Sequence, residues 1–188
     1  MKKVFFGTAS ALLLVGVYSF APSIKSVKAD TVLTVNAERS KVEWNGSVKD
    51  HSHPGIVPIK SGSVIVDAGK LTGGTFVLDI AGVKSTDGAG ERLDGHLKSP
   101  DFLDAAKFPE ATFVIKSVTY TTATAAELTG VLNFKGVDIP VKFPAYIRSI
   151  GEKGLFAEAF FAIDKTLMGI AYKGASDDIH FTVKISAK

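Results

Sequence analysis

At 188 residues the chain can bury one sizeable core, and its formal net charge of +3 is too small to mark a binder of polyanions. It contains no cysteine, which excludes disulfide staples and thiolate metal sites and leaves apolar burial as the source of stability.

The first 29 residues read as a secretory leader. Lys2 and Lys3 form a positive head, Val4 to Phe20 is a largely apolar run, and Val27-Lys28-Ala29 places small residues at the cleavage positions. The run is interrupted by Gly7, Thr8, Ser10 and Ser19, short and soft for a membrane span. No cysteine follows it to take a lipid anchor. Removing the leader removes Lys2, Lys3, Lys25 and Lys28 and no acid, leaving 18 basic and 19 acidic residues and a net charge of −1. The expectation is therefore a single domain over 30–188, periplasmic or secreted, with no stable membrane span and no nucleic-acid partner.

From Asp30 onward apolar residues recur with period two, the signal of half-buried strands. Thr31 to Asn36 opens the series, and Val42, Trp44, Gly46 and Val48 follow. Next come Gly62, Val64 and Val66, then Phe76, Leu78 and Ile80. Turn formers stand at Asp67-Ala68-Gly69-Lys70 and Gly73-Gly74.

Gly88 to Pro109 interrupts this pattern. Ser99-Pro100-Asp101 reads as a helix start, with Ser99 as cap, Asp101 in the first turn and Phe102, Leu103, Ala106 and Phe108 on an apolar face that Pro109 ends. Such a helix cannot join a sheet, so it is expected to cover one end of the fold.

The alternation resumes with Phe113 and Ile115, then Leu128, Gly130, Leu132 and Phe134, then Val141, Phe143 and Ala145. It ends with Ala157 to Ile163 and with Ile179, Phe181, Val183 and Ile185. Further turns are marked by Gly136-Val137-Asp138-Ile139-Pro140 and Ile150-Gly151-Glu152-Lys153-Gly154. Eight or nine short strands with short connections argue an all-β antiparallel meander that closes on itself.

The chain carries no G-x-S-x-G elbow, no H-E-x-x-H and no glycine-rich phosphate loop, so no catalytic residue, cofactor or metal is assigned. His51 and His53 share a strand face and could take two positions on zinc, but nothing in the spacing supplies a third ligand. Exposed loop histidines are the plainer reading, and contact with a polar headgroup is an alternative. Arg92, His96 and Lys98 lie close in sequence; Arg92 and Lys98 are headgroup candidates, whereas His96 suits anchoring of the helix loop.

Three blocks go further. His96-Leu97-Lys98-Ser99-Pro100-Asp101-Phe102-Leu103-Asp104-Ala105-Ala106-Lys107-Phe108-Pro109-Glu110-Ala111-Thr112-Phe113 follows Glu91-Arg92-Leu93-Asp94-Gly95. The others run from Leu128 to Val141 and from Phe161 to Ile170, the latter holding Asp164-Lys165-Thr166 and Gly169-Ile170. Their order and spacing resemble the YceI-like family of bacterial lipid-binding proteins over essentially all of the chain after the leader. Where that family often has His in an early D-P-A-H-S-K-V stretch, this chain has Arg39.

The resemblance implies a single antiparallel eight-stranded lipocalin-like β-barrel, its short helix at one end, holding a polyisoprenoid or similar amphiphile. Candidate lining residues are Trp44, Val64, Val66, Phe76 and Leu78 from the first half, and Phe113, Ile115, Leu132, Phe134, Phe143, Phe161 and Phe181 from the second. Phe102 and Phe108 are expected at the mouth. Gly46, Gly62 and Gly130 share the apolar phase and either open room for a ligand or mark bends. Rival readings are an enzyme using His51, His53 or His96 in the same cavity, and a structural module with a solid core.

Overall fold

The structure is a computed structural model that describes residues 30–151 and 154–188; the expected leader lies outside them. Eleven strands are present among the described residues: β1 (Thr31–Thr34), β2 (Lys41–Ser47), β3 (Ser52–Val57), β4 (Ile59–Asp67), β5 (Lys70–Asp79), β6 (Lys84–Ser85), β7 (Glu110–Tyr120), β8 (Ala125–Phe134), β9 (Val137–Gly151), β10 (Gly154–Asp164) and β11 (Asp178–Ala187). One α-helix, α1 (Gly90–Lys98), precedes β7, and a single 3-10 turn at Lys165–Met168 follows β10.

The strands form one curled antiparallel sheet in the order β1-β4-β5-β7-β8-β9-β10-β11-β2-β3-β6. Alternation dictates which face turns inward. In β8, Ala126, Leu128, Gly130, Leu132 and Phe134 are buried, while in β10 Leu155, Ala157, Ala159 and Ile163 are. The core fills the concave side, and Lys142–Glu127 and Arg148–Glu158 pairs decorate the convex one. Register shifts leave Lys60 of β4, Thr72 of β5, Lys116 of β7 and Arg148 of β9 unpaired, which increases local twist and helps the sheet curl.

The expected eight or nine strands are eleven because β3 and β6 are additional: Pro54 and Gly55 hide β3 from the alternation signal, and β6 spans only two residues. Pro58 has no N–H to donate and divides one long bent strand into β3 and β4; its carbonyl still accepts from Asp79 N at 2.8 Å. β1, expected over Thr31 to Asn36, and the short β6 stand at the two ends of the order, and β1 is followed by Val35, which bridges Ala187 at the end of β11.

Two hairpins turn through two residues with positive φ, the geometry that matches strand twist. Ala68 (φ 46°) and Gly69 (φ 75°) join β4 to β5; Lys135 (φ 54°) and Gly136 (φ 77°) join β8 to β9. The turn expected at Gly73-Gly74 is instead the interior of β5, and Val137 to Pro140 lie inside β9.

The helix is displaced from its expected position. It occupies Gly90–Lys98, and Ser99, expected as its N-cap, is its C-cap with ψ 161°. The cause is Pro100, whose ring disfavours helical backbone in the preceding residue. Ser99 N and Oγ both bond back to the His96 carbonyl, and 100–108 continues as turns.

Candidate functional site

The inward aromatic side chains form a belt across the concave face. Phe76 of β5 is paired in register with Phe113 of β7, ring centroids 6.2 Å apart. Phe113 lies 5.6 Å from Phe143, Phe143 stacks on Phe161 at 4.1 Å, and Phe161 stacks on Phe181 at 5.6 Å. Phe181 is in register with Trp44, and Trp44 with Gly55.

Glycine makes this belt possible at two positions. A Cβ on Gly55 would stand 2.2 Å from the Trp44 ring, and one on Gly130 would stand 2.4 Å from the Phe113 ring. The rings lie over bare backbone. Gly130 and Gly62 thereby give their space to neighbouring side chains, whereas Gly46 has only ordinary contacts with Ile179 and Trp44.

Inside the belt is a cavity of about 320 Å³, at the lower end of the volumes typical of small-molecule sites. All the strand candidates except Val66 line it: Trp44, Val64, Phe76, Leu78, Phe113, Ile115, Leu132, Phe134, Phe143, Phe161 and Phe181. Phe102 lines it too. Val66 is buried outside the wall, near the hairpin end of β4 and beyond a register shift. Phe108 packs on the core without reaching the wall, because 99–108 is folded as turns and presents no helical face.

Of the headgroup candidates, His53 lines the cavity and His51 lies beside it. Arg92 and Lys98 are not among the lining residues; the helix turns Leu93, His96 and Leu97 inward instead. These three were missed as wall residues because the helix was placed one segment too late. Met168, Ile170, Tyr172 and Ala175, also in the wall, belong to the irregular stretch around the 3-10 turn, where no period-two signal exists.

The wall is chemically sparse. Of the lining residues only His53, His96, Tyr172 and Glu158 have titratable side chains, that of Glu158 being paired with Arg148 on the convex face, and no lysine, arginine, serine, threonine or cysteine lines the cavity among the described residues. Two buried polar atoms of the wall, Trp44 Nε1 and His96 Nε2, lack a hydrogen-bond partner. The His96 ring is held between Phe102 (5.6 Å) and Tyr172 (5.1 Å).

Hydrogen bonds fix the rim. Asp94 Oδ1 accepts from Ser85 N at 2.7 Å and Ser85 Oγ at 2.8 Å, tying α1 to β6. The Ser85 backbone N–H holds the Asp94 carboxyl below the usual carboxylate range. Asp164 accepts from Thr166 N and Oγ1, capping the 3-10 turn; the Thr166 hydroxyl lowers its pKa.

The model of the YceI-like domain matches residues 33–187. The chain belongs to the YceI-like family. Among curated relatives, this YceI-like chain is 32% identical over 125 residues to a UPF0312 protein of Pseudomonas fluorescens (strain SBW25), covering 66% of the chain and 65% of that relative. It is 30% identical over 155 residues to a UPF0312 protein of Pseudomonas putida (strain GB-1), covering 81% and 76%.

Solved structures share the YceI-like fold at low identity. BcnA of Burkholderia cenocepacia superposes with TM-score 0.72 at 18% identity, over 82% of this chain and 99% of that one. A polyisoprenoid binding domain from Saccharophagus degradans, implicated in plant cell wall breakdown, gives 0.64 at 11%, over 83% and 97%. The YCEI protein of Campylobacter jejuni gives 0.57 at 20%, over 93% and 92%.

Proposed function

We propose that this chain binds one slender apolar lipid of isoprenoid type within its curled sheet, and carries or sequesters it without covalent chemistry. The observation that bears most of the weight is the wall: an aromatic belt around an apolar space of about 320 Å³. The shared fold with the polyisoprenoid binding domain of Saccharophagus degradans supports the ligand class. A leader at 1–29 would place the mature protein outside the cytoplasm, where lipids need a chaperone through water.

Magnitudes favour the reading. Each buried methylene contributes about 0.8 kcal/mol, so ten of them give roughly 8 kcal/mol, which sets the scale at micromolar affinity and is weakened by ordering costs. A wall without lysine or arginine cannot neutralise a phosphate, so a charged head stays in water beyond the rim. A neutral oxygen, as in an alcohol or quinone, fits better, because it can accept from Trp44 Nε1. The absence of serine, threonine and cysteine from the wall among the described residues also favours binding over acyl transfer. We further read the sheet as working like a barrel, since Val35 bridges Ala187 and Pro58 alone separates β3 from β4.

The test is organic extraction of the purified protein followed by mass spectrometry, with added geranylgeraniol as an alternative ligand. A near-stoichiometric lipid recovered chemically unchanged is the expected result. A protein that yields no lipid and does not take up the alcohol contradicts the proposal.

A further inference from the structure

Asp50, His51 and His53 of the β2–β3 hairpin and Asp87 of the segment before α1 form a row of four side chains that the lipid cavity does not explain. His51 Nδ1 meets Asp50 Oδ1 at 2.7 Å, and His53 Nδ1 meets Asp87 Oδ2 at 2.6 Å. Between the rings, His51 Nε2 and His53 Nε2 face each other at 3.2 Å.

The carboxylates settle the protons. A carboxylate beside an imidazole nitrogen accepts its hydrogen bond, Asp50 from His51 Nδ1 and Asp87 from His53 Nδ1. Both Nδ1 atoms must therefore donate, and in the neutral rings both Nε2 atoms present lone pairs. Two lone pairs 3.2 Å apart repel unless a shared proton or a metal ion lies between them.

We propose that His51 and His53 form a binding site for a divalent transition ion, zinc or copper, held through both Nε2 atoms at the rim of the cavity. Metal–imidazole bonds of about 2.0–2.1 Å drawn from two nitrogens 3.2 Å apart meet at an angle of about 100°, between the octahedral and tetrahedral values. Asp50 and Asp87 occupy the outer positions that carboxylates take behind metal-bound histidines, where they fix the tautomer and raise ligand basicity. Imidazole pairs favour zinc and copper over magnesium or calcium. No third His, Cys, Asp or Glu completes a cluster among the described residues, so solvent fills the remaining positions and affinity is moderate.

The site joins two parts of the rim. His53 lines the cavity, and Asp87 Oδ1 also accepts from Ala89 N at 3.0 Å, just ahead of α1. An ion at this point fastens the hairpin to the approach of the helix.

Titration calorimetry with zinc chloride on the purified chain tests the proposal independently of any lipid. One ion per chain with micromolar Kd is expected. His51→Ala and His53→Ala should each weaken it tenfold or more, and Asp87→Asn about tenfold. His180→Ala, exposed on β11, should leave it unchanged. His51 is more than half exposed, so its replacement leaves the thermal melt in place. Imidazole ¹⁵N spectra should show both Nε2 resonances moving with zinc while both Nδ1 atoms stay protonated. Absence of saturable uptake, uptake surviving the double alanine variant, or uptake lost with His180→Ala would overturn it.

Discussion

Among the described residues Ala68 is one of three non-glycine residues with positive φ, and its side chain has no polar group to compensate the left-handed backbone. Ala68→Asn should raise unfolding free energy by about 1 kcal/mol, measured by urea denaturation, because asparagine suits this position of a two-residue hairpin. Lys165 is a second residue out of the ordinary. It is fully buried, pairs with Asp177 and donates to the Ala175 carbonyl at 3.3 Å. Asp177→Ala strands the ammonium group and should cost about 1–3 kcal/mol, discounted because Asp177 itself is largely exposed. Adding Lys165→Met should restore most of that loss in the same denaturation assay. Neither feature was legible beforehand: the Asp164-Lys165-Thr166 block stood out only by resemblance, and alternation says nothing about a lysine folded inward at a turn.

Among the elements, α1 depends on one carboxylate. Asp94 holds β6 through Ser85, and its folded pKa lies below the ordinary 3.8. A depressed carboxylate contributes stability above its unfolded pKa and loses it as pH falls through the lower folded value. Melting temperature should therefore hold from neutral pH down to about 4 and fall below it. Asp94→Asn should flatten this acid limb while lowering the plateau; an unchanged limb would contradict the role given to Asp94. The strands were readable from period-two alternation, as in β8 and β11. The helix was not, because Ser99-Pro100-Asp101 satisfies the rules for a helix start while Pro100 equally enforces a stop at Ser99. Local sequence offers both readings, and packing of Leu97 into the core decides between them.

At the scale of the whole molecule, the strand candidates for the wall were readable because one face of a curled sheet must point inward. Val66 and Phe108 departed from it where a register shift and a run of turns broke the geometry. Strand number was obscured at β3, where Pro54 and Gly55 read as loop formers although they pair with Asn45 and Trp44 of β2. The irregular wall from Met168 to Ala175 has no periodicity to read, and only folding brings it over the strands. These pieces enclose one apolar space, and the functional reading depends on its being free for a lipid. The most direct measurement is binding of a fluorescent isoprenoid alcohol to the protein and to Ala157→Phe, which places a ring from the β10 wall into that space. The unaltered protein should bind one molecule with about micromolar Kd, and Ala157→Phe should weaken it at least tenfold with its melt preserved; Ala159→Leu serves as a second obstruction. Equal affinity in the folded obstructed variants would show that the lipid does not occupy the cavity.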